Sequence, residues 1–208
     1  MHEQRRRLLR GARDLFFELG FSRVSMDEIA NTLGMSKRTI YQLIPSKREL
    51  LRQALLDKVE EISCGLETIV ETDGPDFLQK LQQVGLFMIS HLPQPSRHFL
   101  RDMEQSCSSI WEEVDTARAR VVQERFSSLF RQGKEQNILR RDIDSTLLVK
   151  ALVGMIQSTI QPDILAHLPL SIGQAFTSLF KLLCLGLLTE RGRSVYLANN
   201  SISREDSC

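Results

Sequence analysis

"VSMDEIANTLGMSKRTIYQLIPSKREL", residues 24–50, contains two short helix-length segments, each with its own start and stop signal. Ser25 followed three residues later by Glu28 predicts a capping box, and Met26, Ile29, Ala30 and Leu33 then fall on one face of a helix that Gly34 ends. Ser36 predicts the cap of the next helix, with Met35 stapling onto Ile40. Ile40, Leu43 and Ile44 point inward, leaving Lys37, Arg38, Thr39, Tyr41 and Gln42 outward. Pro45 disfavours helix at Ile44 and stops the element. Ser46 and Glu49 predict a second capping box, opening a long helix to about Val70. A helix as short as the second one buries too little to hold itself together. It needs a packed neighbour or a partner for its polar face.

Upstream, Leu8, Leu9, Ala12, Leu15, Phe16 and Leu19 recur at helical spacing and predict a helix over about 5–19. Gly20 supplies a left-handed cap, and Phe21 can fold back on Phe16. Arg5, Arg6 and Arg7 sit at the positive end of that helix, either as a solvated arm or beside an anionic backbone. The three helices together read as a helix-turn-helix braced by its first member. The length and polarity of the outward face suit a major groove. Arg and Lys can read guanine O6/N7 and Gln adenine N6/N7. Thr39, Tyr41 and Lys47 suit phosphates, Lys47 because it opens a helix whose free N–H groups attract anions.

"RVSMDEIANTLGMSKRTIYQLIPSKRELL" (23–51), with "LFFELGF" (15–21) before it, resembles the DNA-binding domain of the TetR family of transcriptional regulators over about residues 5–55. The resemblance implies an all-α homodimer with an N-terminal DNA-binding head and a C-terminal body that senses ligand and dimerises. It implies that Thr39, Tyr41 and Lys47 hold phosphates, with Ser25 at the N-terminus of the second helix, while Lys37, Arg38 and Gln42 face bases. Arg38 stands where a glycine is common and Ile44 where a phenylalanine usually precedes the proline. Ile44 keeps the packing apolar; Arg38 changes the reading surface.

The charge distribution agrees. The chain has 208 residues and a net charge of +1, but residues 1–50 carry ten Lys/Arg against six Asp/Glu and the remainder 17 against 20. A basic head on a slightly acidic body suits a phosphate-binding module. The four cysteines form no CxxC pair or secretory framework, the N-terminus has no uninterrupted apolar run, and "LFKLLCLGLL" (179–188) is too short to span a bilayer. The expectation is a reduced cytoplasm and no membrane.

Beyond the head, a break at "ETDGPDF" (71–77) precedes a fifth helix to His91, and "HLPQPSRH" (91–98) turns into a short sixth helix ending near Cys107. One long helix is expected over about 109–136, followed by helices over about 145–161 and 171–189. These last two are apolar on more than one face. Leu147, Leu148, Ala151, Leu152, Met155 and Ile156 on the first, and Ala175, Leu179, Leu182, Leu183, Gly186 and Leu187 on the second, suit an isologous dimer interface, with an internal core as the alternative. Phe87, His91, Phe99, Met103, Trp111 and Gln157 mix apolar surface with a few polar groups and are candidates for lining an effector site, or for plain core packing. The two histidines of the 91–98 corner fit no metal-ligand spacing, and no metal or cofactor is expected. The sequence carries no HExxH, GxSxG, P-loop or dinucleotide fingerprint, so an enzyme is not expected.

The expected organisation is a DNA-binding head over 1–50, an effector-binding and dimerisation body over 51–198 reached through a fourth helix from residue 46, and a disordered tail over 199–208. The expected partners are double-stranded DNA with a palindromic operator, a second copy of the chain, and a small apolar or aromatic effector that releases a repressor. The alternative is a helical small-molecule- or protein-binding module that no longer binds DNA.

Overall fold

The computed structural model describes residues 2–91, 94–159, 161–167, 170–194 and 196. The helices are α1 (His2–Leu19), α2 (Met26–Leu33), α3 (Lys37–Leu43), α4 (Lys47–Glu71), α5 (Phe77–His91), α6 (Arg97–Ser106), α7 (Ser108–Glu135), α8 (Ser145–Thr159), α9 (Pro162–His167) and α10 (Ile172–Leu187), and residues 190–194 are helical as well. The all-α expectation holds, and the described residues contain one isolated β-bridge, between Leu139 and Leu188. The sequence reading did not contain α9. It is a six-residue turn of helix beginning at Pro162, too short to show periodicity.

The described residues pack into two compact units, those within 1–62, 93–120 and 157–172 in one and those within 63–92, 121–156 and 173–196 in the other. In the first unit, Leu8, Ala12, Phe16, Ile29, Ile40, Ile44, Leu50 and Leu51 are fully buried. Fully burying a side chain of this size is worth roughly 1.5–3 kcal/mol. The core therefore supplies what seven-residue α3 cannot supply for itself. Arg13 is buried among these residues and pairs with Glu61 at 3.2 Å. At the N-terminus, Arg5 donates to Gln53 Oε1 at 2.8 Å and Arg7 donates to the Leu33 carbonyl. Arg7 thereby caps the C-terminal end of α2, where a cation is favourable.

Helix α6 docks on α1. Ser96 donates its N–H to the Phe17 carbonyl at 2.7 Å, and Phe17 meets Phe99 edge-on at 4.9 Å. Phe21 folds back to 5.6 Å from Phe16, as expected for this cap. Asp102 of α6 accepts from the Ser22 N–H at 2.9 Å and the Ser22 hydroxyl at 2.6 Å, clasping the turn between α1 and α2. Gly20 lies under that clasp with φ +99, where an added Cβ would stand 3.0 Å from Asp102 Oδ2 and 3.1 Å from His98 Cβ. Gly20→Ala combines left-handed strain with this crowding. Thermal unfolding should show a loss of roughly 1–3 kcal/mol, and an unchanged melting temperature would refute the clasp's rigidity.

In the second unit, Asp76 and Gln79 exchange backbone-to-side-chain hydrogen bonds at 3.0 and 2.9 Å and start α5. Buried Lys80 donates to the Val70 carbonyl at 2.7 Å and to Gln132 Oε1 at 2.9 Å, tying α5 to the end of α4 and to α7. Gly133 lets α7 approach the Phe77 ring, which a Cβ would meet at 2.7 Å. Asp144 accepts from the Leu147 N–H at 2.9 Å and caps α8. Arg140 N–H donates to the Leu187 carbonyl and Thr189 N–H to the Ile138 carbonyl, joining the turn after α7 to the end of α10.

Burial corrects the expected dimer surface. Leu148 and Leu152 are 6% and 4% exposed within a single chain and face the unit's own core, so they have almost no surface to give a partner. Met155, Leu179 and Leu187 are half-buried. The Leu183 side chain and the 199–208 tail lie outside the described residues. Of the expected set, Leu147 and Leu182 are the large apolar residues left exposed among the described side chains, at 64% and 69%. The hydrophobic excess therefore serves the unit's own core on one side and leaves apolar surface on the other.

Candidate nucleic-acid interface

Local sequence fixes the α2–α3 pair. Ser25 Oγ accepts the Glu28 N–H at 3.1 Å while Glu28 Oε2 accepts the Ser25 N–H at 3.0 Å, completing the expected capping box. Gly34 adopts φ 61, ψ 36 at the C-cap of α2, and Ser36 accepts the Thr39 N–H at 3.0 Å to start α3. Ile44 takes the extended φ −148, ψ 123 imposed by Pro45. Ser46 then accepts the Glu49 N–H at 3.1 Å and starts α4. The second capping box is only half made. The Glu49 carboxylate turns to Arg52 Nε at 2.9 Å and Gln53 Nε2 at 2.6 Å, and these bonds hold its pKa down at about 2.

The seven candidate DNA-contacting residues divide into three kinds. Arg38, Tyr41 and Gln42 are exposed on α3, and their side chains make no hydrogen bond or ion pair to the described residues. Tyr41 leaves 48% of its surface to solvent, unusual for an aromatic side chain without a role there. Lys37 is exposed but pairs with Asp27 of α2, and Thr39 shares a 2.8 Å hydrogen bond with the Ser36 hydroxyl. Both must be shared or released before they can serve a ligand. Ser25 has its hydroxyl and N–H committed to Glu28, beside a first turn made acidic by Asp27 and Glu28. A phosphate there would have to open the box and face those carboxylates.

Lys47 is held differently. Its ammonium lies 4.4 Å from the centre of the Phe21 ring, at the first residue of α4. Burial lowers its pKa, opposed by the nearby negative charge of Asp102. An arriving phosphate would replace the lost solvation and favour the charged form. Neighbouring Arg48 has another use: it donates to the Ser106 carbonyl at 2.9 Å and to Ser109 Oγ at 3.0 Å. Of the two adjacent cations, Lys47 remains available and Arg48 holds the packing around α6 and α7. Sequence reading missed the Asp102–Ser22 clasp, since no local signal links residues 80 apart. It also missed the Asp27–Lys37 pair, although a carboxylate and an ammonium across a short helix pair were visible.

The residues proposed to line an effector site divide between the two units. Phe87 and His91 lie in the second unit, ring-stacked on each other at 4.1 Å. Phe99 and Met103 lie in the first unit and are fully buried, with Phe99 spent on packing Phe17. Only Trp111 and Gln157 share a polar neighbourhood, with Asp115, Arg118 and Gln161. None of the described helices is long and apolar enough to cross a membrane.

Residues 8–54 match the family model described as bacterial regulatory proteins, tetR family. The chain is 22% identical over 188 residues to the uncharacterized HTH-type transcriptional regulator YvaF of Bacillus subtilis, covering 89% of this chain and 96% of that one. It is 36% identical over 70 residues to the HTH-type transcriptional activator FasR of Mycolicibacterium smegmatis, a likeness covering 34% of this chain and 32% of that protein. A transcriptional regulator from Saccharomonospora viridis, solved in complex with choline, superposes with a TM-score of 0.66 at 22% identity, covering 91% of this chain and all of that one. That likeness shows the fold. The family match falls on the elements whose caps and outward face were described above. Residues 8–54 are thus a segment of the kind found in tetR-family bacterial regulatory proteins, and over nearly its whole length the chain is similar to a regulator of transcription.

Proposed function

We propose that the chain is a cytoplasmic, homodimeric repressor that binds a palindromic operator and is released from it by a small organic effector. The head, residues 1–50, reads DNA; the body, residues 51–198, dimerises and senses the effector. The observation that carries the DNA reading is the exposed face of α3. Arg38, Tyr41 and Gln42 project from a helix of seven residues without partners among the described residues, beside Lys47 at the start of α4. Arg38 and Gln42, one turn apart, suit base edges, while Tyr41 and Lys47 suit the backbone that flanks them. Thr39 and Lys37 join once their present partners yield. Ser25 contributes through the N-terminus of α2 and only after its capping box opens.

Release follows from population shift: an effector must prefer a state whose two recognition helices no longer match successive major grooves, roughly 34–36 Å apart. An effector that binds both states equally releases nothing. The activator name of the Mycolicibacterium relative favours a second reading, in which the same head recruits rather than blocks transcription. Genomic fragments recovered on the protein supply the test. Affinity for them should fall with salt at a log–log slope of about −4 or steeper, since each neutralised phosphate contributes about −0.9. A flat salt response would remove the DNA reading. Metabolites screened for release, with transcription measured from a bound promoter, decide between repressor and activator.

A further inference from the structure

Trp111, Asp115 and Arg118 lie along one side of α7, spaced four and three residues apart. Gln157, near the end of α8, donates from Nε2 to Asp115 Oδ2 at 2.9 Å, and the Trp111 indole N–H donates to Gln161 Oε1 at 3.2 Å. The Arg118 guanidinium stacks 4.6 Å from the centre of the Trp111 ring. Its Nη2 stands 3.5 Å from Asp115 Oδ1, with side chains 21% and 13% exposed. After these contacts three buried atoms of this cluster have no hydrogen-bond partner among the described residues: Arg118 Nε, Arg118 Nη2 and Asp115 Oδ1. Nε and Nη2 share one edge of the planar guanidinium. They present two parallel N–H groups, the fork that matches a carboxylate. Burial pulls the Arg118 pKa down, with Asp115 only partly opposing it. A largely buried ion pair whose hydrogen-bonding atoms are left unmade is costly, and an apolar pair would serve packing alone better.

We propose that this cluster is the effector's anchor, and that the effector is a small organic carboxylate with an aromatic or aliphatic body, its carboxylate seated on the Nε–Nη2 edge of Arg118. The inference deepens the effector reading above and rests on it. A monoanion fits better than a phosphate or other dianion, because Asp115 repels a second negative charge. A neutral amide has only one good acceptor for a two-donor edge. Trp111 supplies aromatic surface beside the anchor, and Gln157 holds Asp115 so that it balances Arg118 until the ligand arrives.

Phenylacetate and hexanoate, each with its uncharged amide as control, are suitable probes, and Trp111 is the chain's only tryptophan, so its emission reports on this site. At least one carboxylate should change that emission saturably, with its amide about 30-fold or more weaker. Arg118→Gln should abolish the response with helicity unchanged, and Arg118→Lys should keep part of it. No saturable response to either carboxylate, equal binding of the amides, or a response retained in Arg118→Gln overturns the proposal. Duplex binding measured in parallel separates the two readings. Protein that binds DNA but ignores both carboxylates keeps the regulator reading and loses the anchor. Protein that binds a carboxylate through Arg118 but no duplex keeps the anchor and loses the regulator reading.

Discussion

Arg38→Ala should weaken binding to the preferred operator by roughly 1–3 kcal/mol per half-site, hence by about 30-fold to 10⁴-fold for a two-headed complex, and change binding to scrambled duplex far less. The reason is geometric: Arg38 is exposed on α3 without partners among the described residues, so its guanidinium is free to take a base edge. Lys47→Ala should behave oppositely. Its ammonium sits at the start of α4 against the Phe21 ring, placed for a phosphate rather than a base. The loss should be similar on both duplexes, and the salt slope should flatten by about one unit per head. Salt titrations of each variant on operator and scrambled DNA measure both effects. Equal losses on the two duplexes for Arg38→Ala would make it a phosphate contact and leave sequence reading to Lys37 and Gln42. Lys37→Ala is the instructive third variant, because it also frees Asp27, which then faces the DNA unpaired. Its loss should exceed that of one ordinary phosphate contact.

The head was legible because its signals are local. Ser25 with Glu28, Gly34, Ser36 and Pro45 each act within four residues, and the structure realises each of them. Glu49 shows the limit of that logic: its position satisfies the capping-box pattern, yet Arg52 and Gln53 take its carboxylate. A pattern names possible partners; competition among neighbours selects them. Arg7 and Arg48 show the same thing over longer range. Each reads as a free cation, and each is spent on a carbonyl 26 or 58 residues away. The body was legible only as helices. Helical spacing cannot separate a lining residue from a packing residue, so Phe99 was grouped with Trp111 although it packs α6 onto α1. Asp115 and Arg118, ordinary charges by sequence, are half-buried, with polar atoms held away from solvent. Their importance lies in hydrogen bonds that are missing, which no spacing rule detects.

The same ambiguity governs the dimer surface. Leu182→Glu should dissociate the dimer, and with it operator affinity should fall by about 10²–10⁴-fold, the avidity lost when two linked heads become separate ones. Among the described side chains, Leu182 and Leu147 are the large apolar residues that α10 and α8 expose most, at 69% and 64%, and exposed apolar surface of this kind favours association. A carboxylate placed there meets no cost in the monomer and a large desolvation cost in an interface. Leu152→Glu is the contrasting variant. At 4% exposure it would bury a charge within the chain's own core, so the body should unfold rather than dissociate cleanly. Sedimentation gives the mass of each variant, and circular dichroism shows whether it stays folded. A folded Leu182→Glu monomer that binds single half-sites weakly, beside an unfolded Leu152→Glu body, places the interface on the outward faces of α8 and α10. Leu182→Glu and Leu147→Glu both sedimenting as dimers would move the interface elsewhere. A wild-type chain that is monomeric at micromolar concentration would leave the palindromic-operator proposal without a second head.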